Sequence, residues 1–159
     1  QRIFRVGTSR TILSIVEASI QLKERHWGGL IVIQRETGLR SYKEQGTQLK
    51  AEVTAPLLVS IFNPTSPLHD GAVMIQNDII DAAACILPLT ESNMIDPEMG
   101  TRHRAALGIS EETDAIVVLI SEEKARISVV EDGRIAHLSV DEIGLRKYLN
   151  DRMFIASGD

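Results

Sequence analysis

Hydrophobic positions along this chain switch between two spacings. From Ser9 to about Arg25, Ile12, Leu13, Val16 and Ile20 recur as one face of a helix. Thr8 or Ser9 stands where an N-cap belongs, and Trp27-Gly28-Gly29 ends the pattern. Leu30–Gln34 is a short β-branched run of the kind that forms a buried strand. Residues 35–48 are polar and carry Gly38 and Gly46, which predicts a loop containing a helical turn. Thr54 caps a second helix, Ala55–Phe62, with Pro56 in its first turn, and Asn63-Pro64 stops it.

Shorter periods follow. Ala72–Gln76 and Ile79–Leu87 read as strands joined by the turn pair Asn77-Asp78. Pro88 closes the second strand, and Thr90–Met99, with Pro97, reads as loop. Thr101 opens a helix to about Glu112. Ala115–Ile120 is the most apolar strand and is placed centrally. Arg126–Glu131 and Arg134–Leu138 form a hairpin around Asp132-Gly133. Ser139-Val140-Asp141-Glu142 has the capping-box spacing and opens a last helix to about Asn150. Residues 1–7 and 151–159 are expected to be flexible ends. Helices alternating with strands, then hairpins, predict an α/β fold: one domain over residues 1–159, a mixed sheet flanked by helices.

Length and composition narrow the function. A chain of 159 residues suits one domain with a real core. Its net charge of −5 argues against broad nucleic-acid binding, which needs a basic face. Local pairs of arginines therefore carry more information than in a basic protein. Cys85, the only cysteine, sits in an apolar run, so a disulfide framework is excluded and a reducing compartment expected. No apolar run approaches the ~18 residues that span a bilayer. No signal peptide is present, and the chain opens on Gln1, so it is read as a piece of a longer protein.

Three stretches carry chemistry. Ser66-Pro67-Leu68-His69-Asp70-Gly71-Ala72 sets an imidazole beside a carboxylate where the chain enters a strand. Pro64 and Pro67 stiffen its approach, and Gly71 allows close approach of backbone to a ligand. Asp70 can hold a divalent cation or accept a hydroxyl proton, with His69 as a second ligand; it equally fits a turn residue bonding its own backbone. Gly100-Thr101-Arg102-His103-Arg104-Ala105-Ala106 places arginines at a helix start, where free amides attract anions; it also fits a solvated helix start. Ser121-Glu122-Glu123 follows the apolar strand and either completes a metal shell or is a charged turn. The Walker A and G-x-G-x-x-G patterns are absent.

Taken together, His69-Asp70-Gly71-Ala72 and Gly100-Thr101-Arg102-His103-Arg104-Ala105-Ala106, with Ser121-Glu122-Glu123 at a third position, resemble the diadenylate cyclase family from about Trp27 to Leu138. The resemblance implies a twisted mixed sheet wrapped by helices. It implies that two ATP molecules become cyclic di-AMP and two pyrophosphates. Asp70 would serve the 3′-hydroxyl, and Gly71 and Ala72 would line the ribose and base. Ile86 and Leu87 would meet the base, Ile86 standing where many members similar to this one carry a tyrosine. Thr101, Arg102, His103 and Arg104 would hold phosphates, with Ser121 and Glu122 beside them. His69, Asp70 and Glu123 would be ligands for magnesium, manganese or cobalt. Similarity to the membrane-anchored subtype implies a cytoplasmic domain attached through a segment outside this chain, working as a face-to-face homodimer without nucleic acid. The rival readings are a nucleotide or cyclic di-AMP sensor without turnover and a metal-dependent phosphohydrolase.

Overall fold

The computed structural model describes residues 2–92 and 99–157. Strand β1 (Arg2–Arg5) leads to helix α1 (Ser9–Glu24), whose cap Thr8 accepts from the Thr11 amide. Then come β2 (Gly29–Ile33), α2 (Arg40–Lys43), β3 (Thr47–Glu52) and α3 (Ala55–Phe62), capped by Thr54 as expected. β4 (Ala72–Gln76), β5 (Ile79–Cys85), α4 (Thr101–Glu112), β6 (Ile116–Ser121), β7 (Arg126–Glu131), β8 (Arg134–His137), α5 (Glu142–Arg152) and β9 (Phe154–Ser157) complete the order. The loop expected over Thr90–Met99 lies partly outside the described residues, Pro97 included.

Seven strands form one sheet in the order β3-β5-β4-β2-β6-β7-β8. β2 and β4 run parallel and the other neighbouring pairs antiparallel, so the sheet is mixed, as expected. Alternation within strands divides the core. Ile31 and Ile33 of β2 face a layer holding Ile12, Leu22, Leu58, Phe62 and Leu149 from α1, α3 and α5. Leu30 and Val32 face the opposite layer, with Ala106 and Ile109 of α4. β2 and β6 are buried along nearly their whole length because helices cover both faces there. β2 holds the central place and β6 stands next to it.

Four expectations shift. β3 falls in the polar stretch: its residues alternate between exposed and half-buried, and it pairs only with β5, so an edge strand carries no apolar signature. On α1 the inward face uses Ile15, and Leu13 points out at 44% exposure. The cap of α5 is Asp141, accepting from the Gly144 amide at 2.7 Å, in place of the Ser139 box. β1 and β9, within the ends expected to be flexible, pair antiparallel as a separate ribbon.

A carboxylate ties the hairpin to the first helix. Asp78 accepts from the Thr8 amide (2.8 Å), the Thr8 hydroxyl (3.1 Å) and the Thr11 hydroxyl (2.6 Å). Those bonds, the Thr11 one foremost, hold its pKa below the ordinary carboxylate value.

Candidate active site

A cavity of about 980 Å³ opens at the end of the sheet where β2 and β4 begin and β5 and β6 finish. Its volume suits a small-molecule ligand. The loop entering β4 forms one wall and is wound from short turns. Asn63 Oδ1 accepts from the Thr65 amide and hydroxyl, and Ser66 Oγ accepts from the Leu68 amide. His69 Nδ1 lies 2.7 Å from the Ser66 carbonyl, so it carries the proton and donates, leaving Nε2 with a free lone pair. The Asp70 carboxylate is exposed on the same wall.

Gly71 has φ of +110°, and an added Cβ would stand 2.8 Å from the Ala84 carbonyl carbon of β5. Ala84 itself has φ of +56°, at an irregularity in the β4–β5 register. The glycine expected to admit a ligand is thus required by its own backbone angle and by the neighbouring strand.

The opposite wall is the start of α4. Gly100 caps it with no side-chain bond, so the first-turn amides are presented toward the cavity lining of Thr101 and Arg102. Arg102 lies against Gly28: a Cβ there would be 2.2 Å from its Nη1. The same Nη1 reaches Glu122 Oε1 at 3.4 Å. His103 is buried, and burial first, then the charge of Arg126, lowers its pKa, so the imidazole is neutral near pH 7.

The segment after β5 forms the third side. Ile86 is 68% exposed at the cavity, whereas Leu87 is buried. The chain then rides directly on α4: a Cβ on Gly108 would collide with the Pro88 carbonyl oxygen at 1.8 Å. The Thr90 amide donates to the Arg104 carbonyl at 3.0 Å, and the Thr90 hydroxyl to Glu111 at 2.8 Å. Cys85 is a buried free thiol whose pKa is pushed up to about 11 by burial, in keeping with a core role.

His69, Asp70, Gly71, Ile86, Leu87, Thr101, Arg102, His103, Ser121, Glu122 and Glu123 all line this one cavity. Ala72 and Arg104 do not: Ala72 is fully buried in β4, and Arg104, half-buried on α4, is not among the lining residues. Gly28, Lys124 and Arg126 also line it without having been singled out. The Gly28-Gly29 pair before a buried strand, and the place of Arg126 across the hairpin from Ser121, were the available signals.

Among the described residues no three His, Cys, Asp or Glu groups stand together as a metal shell. The expected trio His69, Asp70 and Glu123 therefore shares the cavity without forming a ready-made cage. The acceptor left on His69 Nε2 of the neutral ring and the exposed Asp70 carboxylate are groups that could hold a divalent ion together with oxygens from outside the chain.

The family model described as "DisA bacterial checkpoint controller nucleotide-binding" (DAC) matches residues 16–135. The chain belongs to the DAC family. Among DAC relatives, the chain is 46% identical over 140 residues to "Cyclic di-AMP synthase CdaA" of Bacillus subtilis, covering 88% of this chain and 51% of that protein. It is 49% identical over 128 residues to "Diadenylate cyclase CdaS" of Bacillus thuringiensis, covering 80% and 64%. The chain thus spans about half to two thirds of the length of these curated relatives. A crystal structure of a double mutant of DacA from Staphylococcus aureus superposes with a TM-score of 0.87 at 41% identity, covering 90% of this chain and 95% of that one.

Proposed function

We propose that this chain is the catalytic domain of a diadenylate cyclase, joining two ATP molecules into cyclic di-AMP with release of two pyrophosphates. The observation that carries the reading is the shared cavity: an open carboxylate on one wall faces an arginine at a helix N-terminus on another. The names of the relatives at 46% and 49% identity support the same chemistry.

In each half-reaction the 3′-oxygen of one ATP attacks the α-phosphorus of the other. A P–O bond forms, the bond to pyrophosphate breaks, and the hydroxyl proton passes to the Asp70 carboxylate. The α4 amides and Arg102 bind the phosphates and spread the charge that develops on leaving pyrophosphate. Ile86 and Leu87 offer an aliphatic surface to adenine. His69 and Asp70 would hold a divalent ion, which supplies charge neutralisation at the phosphates when bound. Manganese and cobalt would accept both the Asp70 oxygens and the His69 imidazole, whereas magnesium would favour the oxygens.

Each chain carries one Asp70 and one cradle, while the product has two equivalent bonds. Two chains paired face to face, by the two-fold symmetry common to dimers, supply both halves. Attachment of the whole protein to a membrane, implied by the anchored subtype, would need a segment outside the described residues, since no helix among them is long and apolar enough to cross.

Asp70→Asn keeps the shape of the site and removes its charge. Incubation with ATP and magnesium or manganese, followed by mass spectrometry, should show cyclic di-AMP from the parent chain and at most traces from the variant, with unchanged circular dichroism. Near-parental product from the folded variant refutes the assignment of Asp70. Free phosphate in place of a cyclic dinucleotide from the parent would favour the hydrolase reading, and bound ATP without product the sensor.

A further inference from the structure

Two arginines line the cavity, and they differ in what faces them. Arg102 meets Glu122 at 3.4 Å. Arg126, at the start of β7, has no carboxylate or other side-chain hydrogen-bond partner among the described residues, and its Nε is buried without an acceptor. A guanidinium stays charged and carries five donors, so a buried Nε without an acceptor costs free energy that a ligand oxygen would relieve. Arg126 is also well placed for one. Its register partner across the β6–β7 hairpin is Ser121, and both line the cavity.

Its neighbour on α4 sharpens the point. His103 sits in the middle of the Arg102-His103-Arg104 triplet, but its Nε2 is buried without a partner. It is held neutral by burial and by Arg126 itself. Arg104 does not reach the lining. Of the three basic residues in the motif, only Arg102 therefore brings positive charge to the cavity. The second positive guanidinium at the lining comes from a different element, β7.

We propose that Arg126 is a phosphate-contacting residue, donating from the start of β7 to the triphosphate of the bound nucleotide. The proposal rests on the nucleotide-binding reading given above. The competing role is packing alone, with the Arg126 stem covering His103 and the charge idle.

Arg126→Gln keeps a polar stem of similar reach and removes the charge; Arg126→Lys keeps the charge. Dissociation constants for ATP would be measured by calorimetry and for adenosine by ligand-observed nuclear magnetic resonance, with thermal midpoints as a control on folding. Arg126→Gln should weaken ATP by about tenfold or more, as loss of a charge-assisted bond requires, and leave adenosine within about twofold. Arg126→Lys should bind ATP more tightly than Arg126→Gln. The proposal is overturned if ATP binding survives in Arg126→Gln, if ATP and adenosine weaken in parallel, or if Lys is no better than Gln. A parent chain that binds ATP in this Arg126-dependent way yet makes no cyclic product would refute the cyclase reading and leave this contact standing. A parent that cyclises ATP with Arg126→Gln unaffected would do the reverse.

Discussion

Gly28 offers a sharp test of how the phosphate wall is built. The residue is not in the left-handed region, so alanine meets no backbone strain there. Its Cβ would nevertheless stand 2.2 Å from Arg102 Nη1, 2.5 Å from Cζ and 3.0 Å from Nη2. Non-bonded heavy atoms settle at about 3.5–4.0 Å, so the guanidinium must retreat by roughly 1.3–1.8 Å. It can do so, because it is the far end of a flexible side chain. The fold should then be unharmed, and slightly helped by the smaller conformational freedom of alanine in the unfolded chain, about 0.4–1 kcal/mol. Binding should suffer instead. A charge-assisted bond contributes about 1.5–3 kcal/mol, which at about 1.4 kcal/mol per decade predicts roughly tenfold to a hundredfold weaker ATP. The assay is a double-mutant cycle with ATP affinities for Gly28→Ala, Arg102→Ala and the pair. If Gly28 acts by seating Arg102, the alanine costs nothing once Arg102 is gone. An equal cost in both backgrounds, or none in either, refutes the reasoning.

Two further outcomes follow from assembly and from acid. If two chains must face each other, turnover per chain rises with protein concentration below the dimer dissociation constant, and a rate strictly proportional to enzyme across that range counts against pairing. Asp78 is held below the ordinary carboxylate value by Thr11 first and Thr8 next, so it stabilises the fold fully above that value and loses the contribution as pH falls through the lowered one. Urea unfolding of parent and Asp78→Ala chains at a series of pH values should show their difference shrinking toward acid; a gap independent of pH would show that the charge is not what holds the hairpin to α1.

What could be read from the sequence was whatever leaves a local signature. The caps Thr8 and Thr54, the apolar run of β6 and the Asp132-Gly133 hairpin all encode themselves within a few residues. β3 did not, because an edge strand bonded on one side needs no apolar alternation. The ribbon of β1 and β9 did not, because its partners sit at opposite ends of the chain. In the site, most residues named from the motifs line one cavity, but lining is a tertiary property: nothing local says that Arg104 is left out of it while Arg126, across a hairpin from Ser121, is included. The sequence shows the freedom of Gly71 but not the strand that also requires it, since the crowding atom belongs to Ala84 of β5.

The seam at Gly108 reaches beyond packing. With Pro88 seated on the helix and Thr90 bonded to Arg104 and Glu111, the stretch from Ile86 to Leu89 is held directly against α4. Two walls of the cavity, the aliphatic one at Ile86 and the one carrying Arg102, are thereby tied to a single helix, which on the proposed reading fixes the base contact relative to the phosphate contact. On that reading, acceptance of a different base would call for a change in the surface at position 86 rather than in the spacing of the two walls.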